Sequence, residues 1–252
     1  MQRHDVIIAN GFDRYHLLIA AAEAERRGRL DRCIAGFYPT AGICSRLSML
    51  GLLKRPRIAR LLDRKVELSD ERLATMPLWE TVGHVGGRLF GERVIQAARL
   101  GFSKKAETVI RRSQARLYHY RSGYGHSSAA RAKRRGMATV CDHSIAHPAV
   151  LAHLVDNQGR LPPIGERGRI TPLWADIMDD LQHADRVLVN SDFVKETFVH
   201  QGWEPERIEV VYQGLDDAFF ALLPARQAAA DRRENAPLRL AFAGAFEQRK
   251  GA

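Results

Sequence analysis

Residues 184–220, ADRVLVNSDFVKETFVHQGWEPERIEVVYQGLDDAFF, run through a strand, a helix, a second strand and an exit turn without interruption. Val187, Leu188 and Val189 form a compact apolar run between polar neighbours. That is the pattern of a short strand buried on both faces, not of a helix of ten or more residues. Ser191 then supplies a cap whose hydroxyl accepts from a backbone N–H two or three residues on, and Phe193, Val194, Phe198 and Val199 recur at helical spacing. Gly202 ends the helix, a second strand follows from Ile208 to Tyr212, and Gln213-Gly214 closes it. The stretch is one β-α-β unit.

The same alternation extends back to the start of the chain. Asp5–Asn10 reads as a first strand, Gly11 follows it, and an alanine-rich helix is predicted from about Asp13 to Arg27. Asp31–Tyr38 is a second strand closed by Pro39, and residues 79–115 are helical, divided into two helices near Gly101. Arg116–Arg121 is a strand of alternating character, and Ser122-Gly123-Tyr124-Gly125 turns into a helix over 126–135. Met137–Asp142 is a further strand. A helix begins at Pro148, residues 156–169 form a polar loop, and Thr171 caps a helix from Pro172 to His183. Strands alternating with helices predict an α/β fold, a doubly wound parallel sheet covered on both faces, over residues 1–220. Residues 221–237 have linker composition. Leu238–Ala243 and the loop to Gly251 begin a second domain, within 238–252, that is too short for a core of its own.

The chain of 252 residues is 45% hydrophobic, enough for a substantial core, and its formal charge of +10 favours an anionic partner. Cys33, Cys44 and Cys141 are odd in number and lack metal-type spacing, which fits reduced core thiols in a cytoplasmic protein. No run approaches the roughly 18 apolar residues of a spanning helix. Between Arg46 and Lys65, seven basic residues stand against one acid, Asp63, so this window contributes +6. Leucines interleave with Arg46, Lys54, Arg55, Arg57 and Arg60, as in two short amphipathic helices broken at Pro56. Peripheral docking on the inner, anionic face of a membrane is one reading; leucines facing the core under solvated arginines is the other. The charge is not interleaved with aromatics as in a nucleic-acid platform, so no nucleic-acid partner is expected.

Loops at strand C-terminal ends line the ligand crevice of open α/β sheets. Tyr124, His126 and Ser127, at such an end, are candidates for acceptor or donor contacts, with a surface turn as the plain alternative. Gly11 either lets the backbone approach a phosphate or simply makes a tight turn. Cys141, Asp142, His143 and His147 offer metal-ligand types, but Pro148 disfavours helical geometry at His147 and separates the two histidines, so no metal is expected. Asp142 either orients an imidazole or caps the next turn.

The pattern A-D-x-V-L-V-N-S-x-F, a helix, then I-x-V-V-Y-x-G-x-D resembles the segment closing the first domain of family 4 glycosyltransferases, and LRLAFAGAFEQRKG at 238–251 resembles the start of their second domain. The resemblance implies a GT-B fold, of which this chain carries the Rossmann-like N-terminal half and a truncated second domain. It implies transfer of a sugar from a nucleotide diphosphate sugar to a hydroxyl acceptor, glycan or lipid-linked, with retention and without a metal cofactor. His143, just past a hydrophobic strand, matches the family histidine beside the donor sugar. Lys250 matches the lysine that neutralises the diphosphate. Arg249 is a candidate to share this work, because Ala245 stands where many members place an arginine, and the loop holding Gly11 lies near the donor phosphates. Since the family's E-x7-E segment is not found, the 252 residues are expected to be inactive alone. The alternative is a non-catalytic nucleotide- or partner-binding α/β domain.

Overall fold

A computed structural model describes residues 4–51, 56–156, 171–214 and 221–222. Its strands are β1 (Val6–Gly11), β2 (Leu30–Ala35), β3 (Leu73–Thr75), β4 (Leu117–Arg121), β5 (Ala138–Asp142), β6 (Arg186–Val189) and β7 (Ile208–Val210). They form one sheet in the order β3-β2-β1-β4-β5-β6-β7, with every pairing parallel. The helices are α1 (Leu17–Arg26), α2 (Ala41–Met49), α3 (Pro56–Leu62), α4 (Pro77–Thr81), α5 (Gly87–Phe90), α6 (Glu92–Arg112), α7 (His126–Arg134), α8 (Pro148–Asp156), α9 (Pro172–Gln182) and α10 (Asp192–His200). Strand order reverses between β1 and β4, so the connections leave the C-terminal ends of these two strands in opposite directions and open a crevice there.

Strand pleating divides the buried residues between two faces. On one face, Ile7, Ala9, Tyr118, Tyr120, Cys141 and Val187 pack with Phe102 and Ile110 of α6, Ala129 of α7, Leu181 of α9 and Phe198 of α10. On the other, Ile8, Cys33 and Ala35 pack with Leu17, Leu18 and Ala21 of α1. Each large side chain so buried contributes about 1.5–3 kcal/mol. The unit β6-α10-β7 forms in the order its sequence predicts, with β7 ending at Val210, two residues before the expected Tyr212, and Ser191 Oγ accepts from the Val194 N–H at 3.3 Å.

Three local expectations are corrected. The first helix starts at Leu17 instead of Asp13, because Asp13 is in the left-handed region at φ 64° and its carbonyl accepts from Asn10 Nδ2 at 2.9 Å. The helical stretch breaks at Gly91, with φ 78°, and not at Gly101, which lies inside the unbroken α6. Gly101 admits the Trp79 indole, whose ring carbons would stand 2.6 Å from a Cβ at that position. The edge strand β3, at three residues, is too short to show periodicity in sequence. A fourth difference concerns charge. Arg64, within the basic window, is buried and bonds Glu80 Oε1 at 2.5 Å. The linker at 221–237 and the strand Leu238–Ala243 lie outside the described residues, apart from 221 and 222. Among the described residues no helix is long and apolar enough to cross a membrane.

Candidate functional site

A cavity of about 1040 Å³ lies at the crevice, outside the C-terminal ends of β1 and of β4 to β7. The range is that of small-molecule sites. Its floor is the sheet face carrying α1, where pleat alternation presents His119 of β4, Asp142 of β5 and Leu188 of β6. The loop after β1 contributes Arg14, Tyr15 and His16, and the segment after β7 contributes Val211 to Gly214.

Asp142 organises the polar part of this floor. Its Oδ2 accepts from His16 Nε2 at 2.8 Å and its Oδ1 accepts from the Tyr15 hydroxyl at 2.9 Å, which also lies 3.0 Å from Ser144 Oγ. His119 Nε2 stands 3.7 Å from Oδ2, beyond hydrogen-bond reach but close enough to interact electrostatically. Burial by itself would raise the Asp142 carboxyl, yet the adjoining His119 and His16 imidazoles outweigh it and hold the group below the usual carboxylate range. Asp142 is therefore ionised. Burial, reinforced by the Asp142 charge, pushes the Tyr15 phenol well above its ordinary value, so Tyr15 stays a donor. The Arg121 guanidinium lies over the Tyr15 ring, 4.2 Å from its centroid.

His143, the next residue, faces the opposite way. Its backbone N–H bonds the Leu188 carbonyl at 2.8 Å, which continues the β5-β6 ladder by one residue and sends the two side chains to opposite faces of the sheet. The ring is 1% exposed, packs edge-on to Phe198 at 5.4 Å, and has Nδ1 2.9 Å from Ser122 Oγ. Burial lowers its pKa to about 4, further depressed by His147 and partly offset by Asp142. The structure thus brings Asp142 to the cavity and places His143 beneath α10.

The other candidates are distributed as follows. Gly11 has φ 78°, and the Tyr124 ring stands 2.7 Å from where a Cβ would be, so glycine meets a packing requirement here. Tyr124 is buried against Phe12 and Phe102 in edge-on contacts. The N–H groups of Gly125 and His126, which open α7, donate to the buried Asp180 carboxylate of α9. A buried carboxyl group, its pKa pushed up by burial, thus occupies that helix N-terminus. Ser127 Oγ is 3.4 Å from Ser103 Oγ. None of these residues is among those lining the cavity. Arg46 lies on α2, Arg57 and Arg60 lie within α3, and Lys54, Arg55, Arg249 and Lys250 are outside the described residues.

Tyr15, His16 and His119 were not singled out by sequence. The signal for His119 is the alternation in β4, where His119 and Arg121 share a face inside an otherwise apolar sheet. Among the described residues, Asp13, Glu80 and His84 place potential metal-ligand atoms within 4.8 Å of one another. Arg64 already supplies the cation there, bonded to Glu80 and 3.3 Å from Asp13 Oδ1.

A family model for Glycosyltransferase Family 4 matches residues 60–219. Among solved structures the chain is similar to Os79 from O. sativa, determined in complex with UDP, at 12% identity and a TM-score of 0.51, over 86% of this chain and 54% of that one. It is also similar to UDP-N-acetylglucosamine 2-epimerase from Rickettsia bellii at 9% identity and a TM-score of 0.46, over 82% and 44%. Phytolacca americana UGT2, complexed with UDP-2fluoro-glucose and pterostilbene, matches at 13% identity and a TM-score of 0.46, over 89% and 58%. The chain spans about half the length of these structures. Comparison with curated proteins finds no match.

Proposed function

The chain belongs to Glycosyltransferase Family 4, and from that premise we propose that it supplies the acceptor-side domain of an enzyme moving a sugar from a nucleotide diphosphate sugar to a hydroxyl acceptor with retention at the anomeric carbon. The observation that carries this reading is the cavity at the strand-order reversal, floored by Asp142, His16 and Tyr15. Its chemistry suits a hydroxyl more than a diphosphate. Arg14 is the single Arg or Lys among the described lining residues, and it pairs with Asp63 at 2.6 Å. Departure of a diphosphate builds negative charge that preorganised cations must stabilise. The family resemblance assigns that task to Arg249 and Lys250, with no metal cofactor. A transfer assay on a complete enzyme, with a panel of nucleotide sugars and glycan and lipid acceptors, tests the reading. Absence of transfer to any hydroxyl acceptor by a folded, complete enzyme would refute it.

Burial of His143 favours the second reading, a non-catalytic nucleotide- or partner-binding domain. Titration of this chain with UDP and GDP distinguishes the two, since tight nucleotide binding without transfer by the complete enzyme is expected only of the second.

We further propose that the protein works at the inner face of an anionic membrane. Helix α2 has no buried residue, and Met49 and Leu50 at its end are 77% and 69% exposed beside Arg46. Leu78, Leu89 and Phe90 of α4 and α5 are likewise exposed, with Arg88 among them. Apolar side chains flanked by basic ones suit a headgroup layer. Flotation with anionic and neutral liposomes tests this, and binding to neither would exclude it.

A further inference from the structure

We infer that the cavity receives the hydroxyl of an uncharged amphipathic alcohol, with His16 Nδ1 accepting the hydrogen bond of that hydroxyl and Asp142 acting as the positioning residue that holds the ring. The inference rests on the acceptor-side reading above and names the class of acceptor.

The tautomer follows from the contacts. An ionised Asp142 can only accept, so the 2.8 Å contact commits His16 Nε2 to carry the proton. A neutral imidazole protonated at Nε2 presents a lone pair at Nδ1, and His16 is part of the cavity lining. Asp142 itself is engaged within the protein, with Tyr15 on one oxygen and His16 on the other. His16 Nδ1 is thus an acceptor that seeks a donor, which an alcohol provides and an ether does not.

The carboxylate of Asp142 disfavours an anion at this position. Arg14, the single Arg or Lys among the described lining residues, pairs with Asp63, while the ionised Asp142 faces the floor. A phosphate placed there would be repelled. The remaining wall is apolar. Ile19, Val211 and Tyr212 are each more than half exposed, and the Tyr212 hydroxyl is tied to Asp192, which fixes its ring as a flat surface. A volume of about 1040 Å³ exceeds what a lone hydroxyl requires and accommodates an apolar body behind it.

The test uses three probes on the 252-residue chain at about pH 8, above the ordinary histidine range. They are 1-octanol, octyl methyl ether and octyl phosphate, followed through the histidine ring resonances in proton–nitrogen correlation spectra. Octanol is expected to shift His16 Nδ1 saturably and to bind roughly two- to tenfold more tightly than the ether. His16→Phe, which keeps an aromatic ring against Tyr15, and Asp142→Asn are each expected to abolish that preference. Circular dichroism confirms folding, and His16→Phe decides the matter if Asp142→Asn does not fold. Equal affinity for alcohol and ether, or tighter binding of octyl phosphate, overturns the inference. A complete enzyme that transfers sugar while this chain shows no alcohol preference refutes the inference and leaves the glycosyltransferase reading standing. Alcohol preference without transfer does the reverse.

Discussion

Acidification from about pH 7 to about pH 4 should destabilise this fold through His143. In the unfolded chain the imidazole titrates near its ordinary 6.5, whereas burial beneath Phe198 lowers the folded value to about 4. Between those values the unfolded state binds a proton that the folded state refuses. The sign is therefore fixed: the contribution is fully present above about pH 6.5, declines as pH falls, and is exhausted near pH 4. A gap of about 2.5 pH units at about 1.36 kcal/mol each amounts to about 3 kcal/mol, a large part of a stability of about 5–15 kcal/mol. Urea unfolding of the wild-type chain and of His143→Gln across this range measures it, since glutamine keeps a polar group opposite Ser122 and does not titrate. The stability difference between the two proteins should be flat above pH 7. It should then change against the wild type by about 3 kcal/mol, at up to about 1.4 kcal/mol per pH unit, as pH falls to 4. His147, lowered to about 4 by burial, titrates in both proteins and largely cancels. A difference that stays constant from pH 7 to pH 4 would mean that the folded His143 titrates as a solvated group, and would return it to the cavity.

Asp180→Ala should cost about 1–3 kcal/mol for each of the two α7 N–H groups it leaves buried without a partner, read from the urea midpoint. Gly11→Ala should cost about 1–3 kcal/mol, because φ 78° is strained for alanine and the new Cβ meets the Tyr124 ring; an unchanged melting temperature would show that this turn is loosely packed. Arg64→Met should cost about 3–5 kcal/mol by leaving the buried Glu80 carboxylate without its cation. Adding Glu80→Gln should recover much of that loss in thermal melts, because the amide oxygen can still accept from the Phe37 N–H.

Much of the fold is legible in sequence because its signals are local. The run Val187 to Val189, the Ser191 cap and Gly202 each act within a few residues, and β6, α10 and β7 appear where they predict. Composition alone does not decide what a glycine does. Gly91 and Gly101 look alike in sequence, yet one breaks the helix through a positive φ and the other stays helical to admit Trp79, about twenty residues away. Tyr124 likewise sits in a turn-forming sequence and is drawn into the core by Phe12 and Phe102.

The candidate site divides in the same way. Sequence by itself determines that a polar pair, Asp142-His143, stands at the end of a buried strand, and that a doubly wound sheet gathers such ends along one edge. It leaves open whether Asp142 orients an imidazole or caps the next turn. Which imidazole, and which of the two side chains faces the cavity, depends on which sheet face α1 leaves open. Asp142 finds His16 across 126 residues of chain, while His143, one pleat on, is sealed under Phe198. A strand's period of two makes neighbouring residues opposites, and only the packing of helices on the two faces decides which of them meets a ligand.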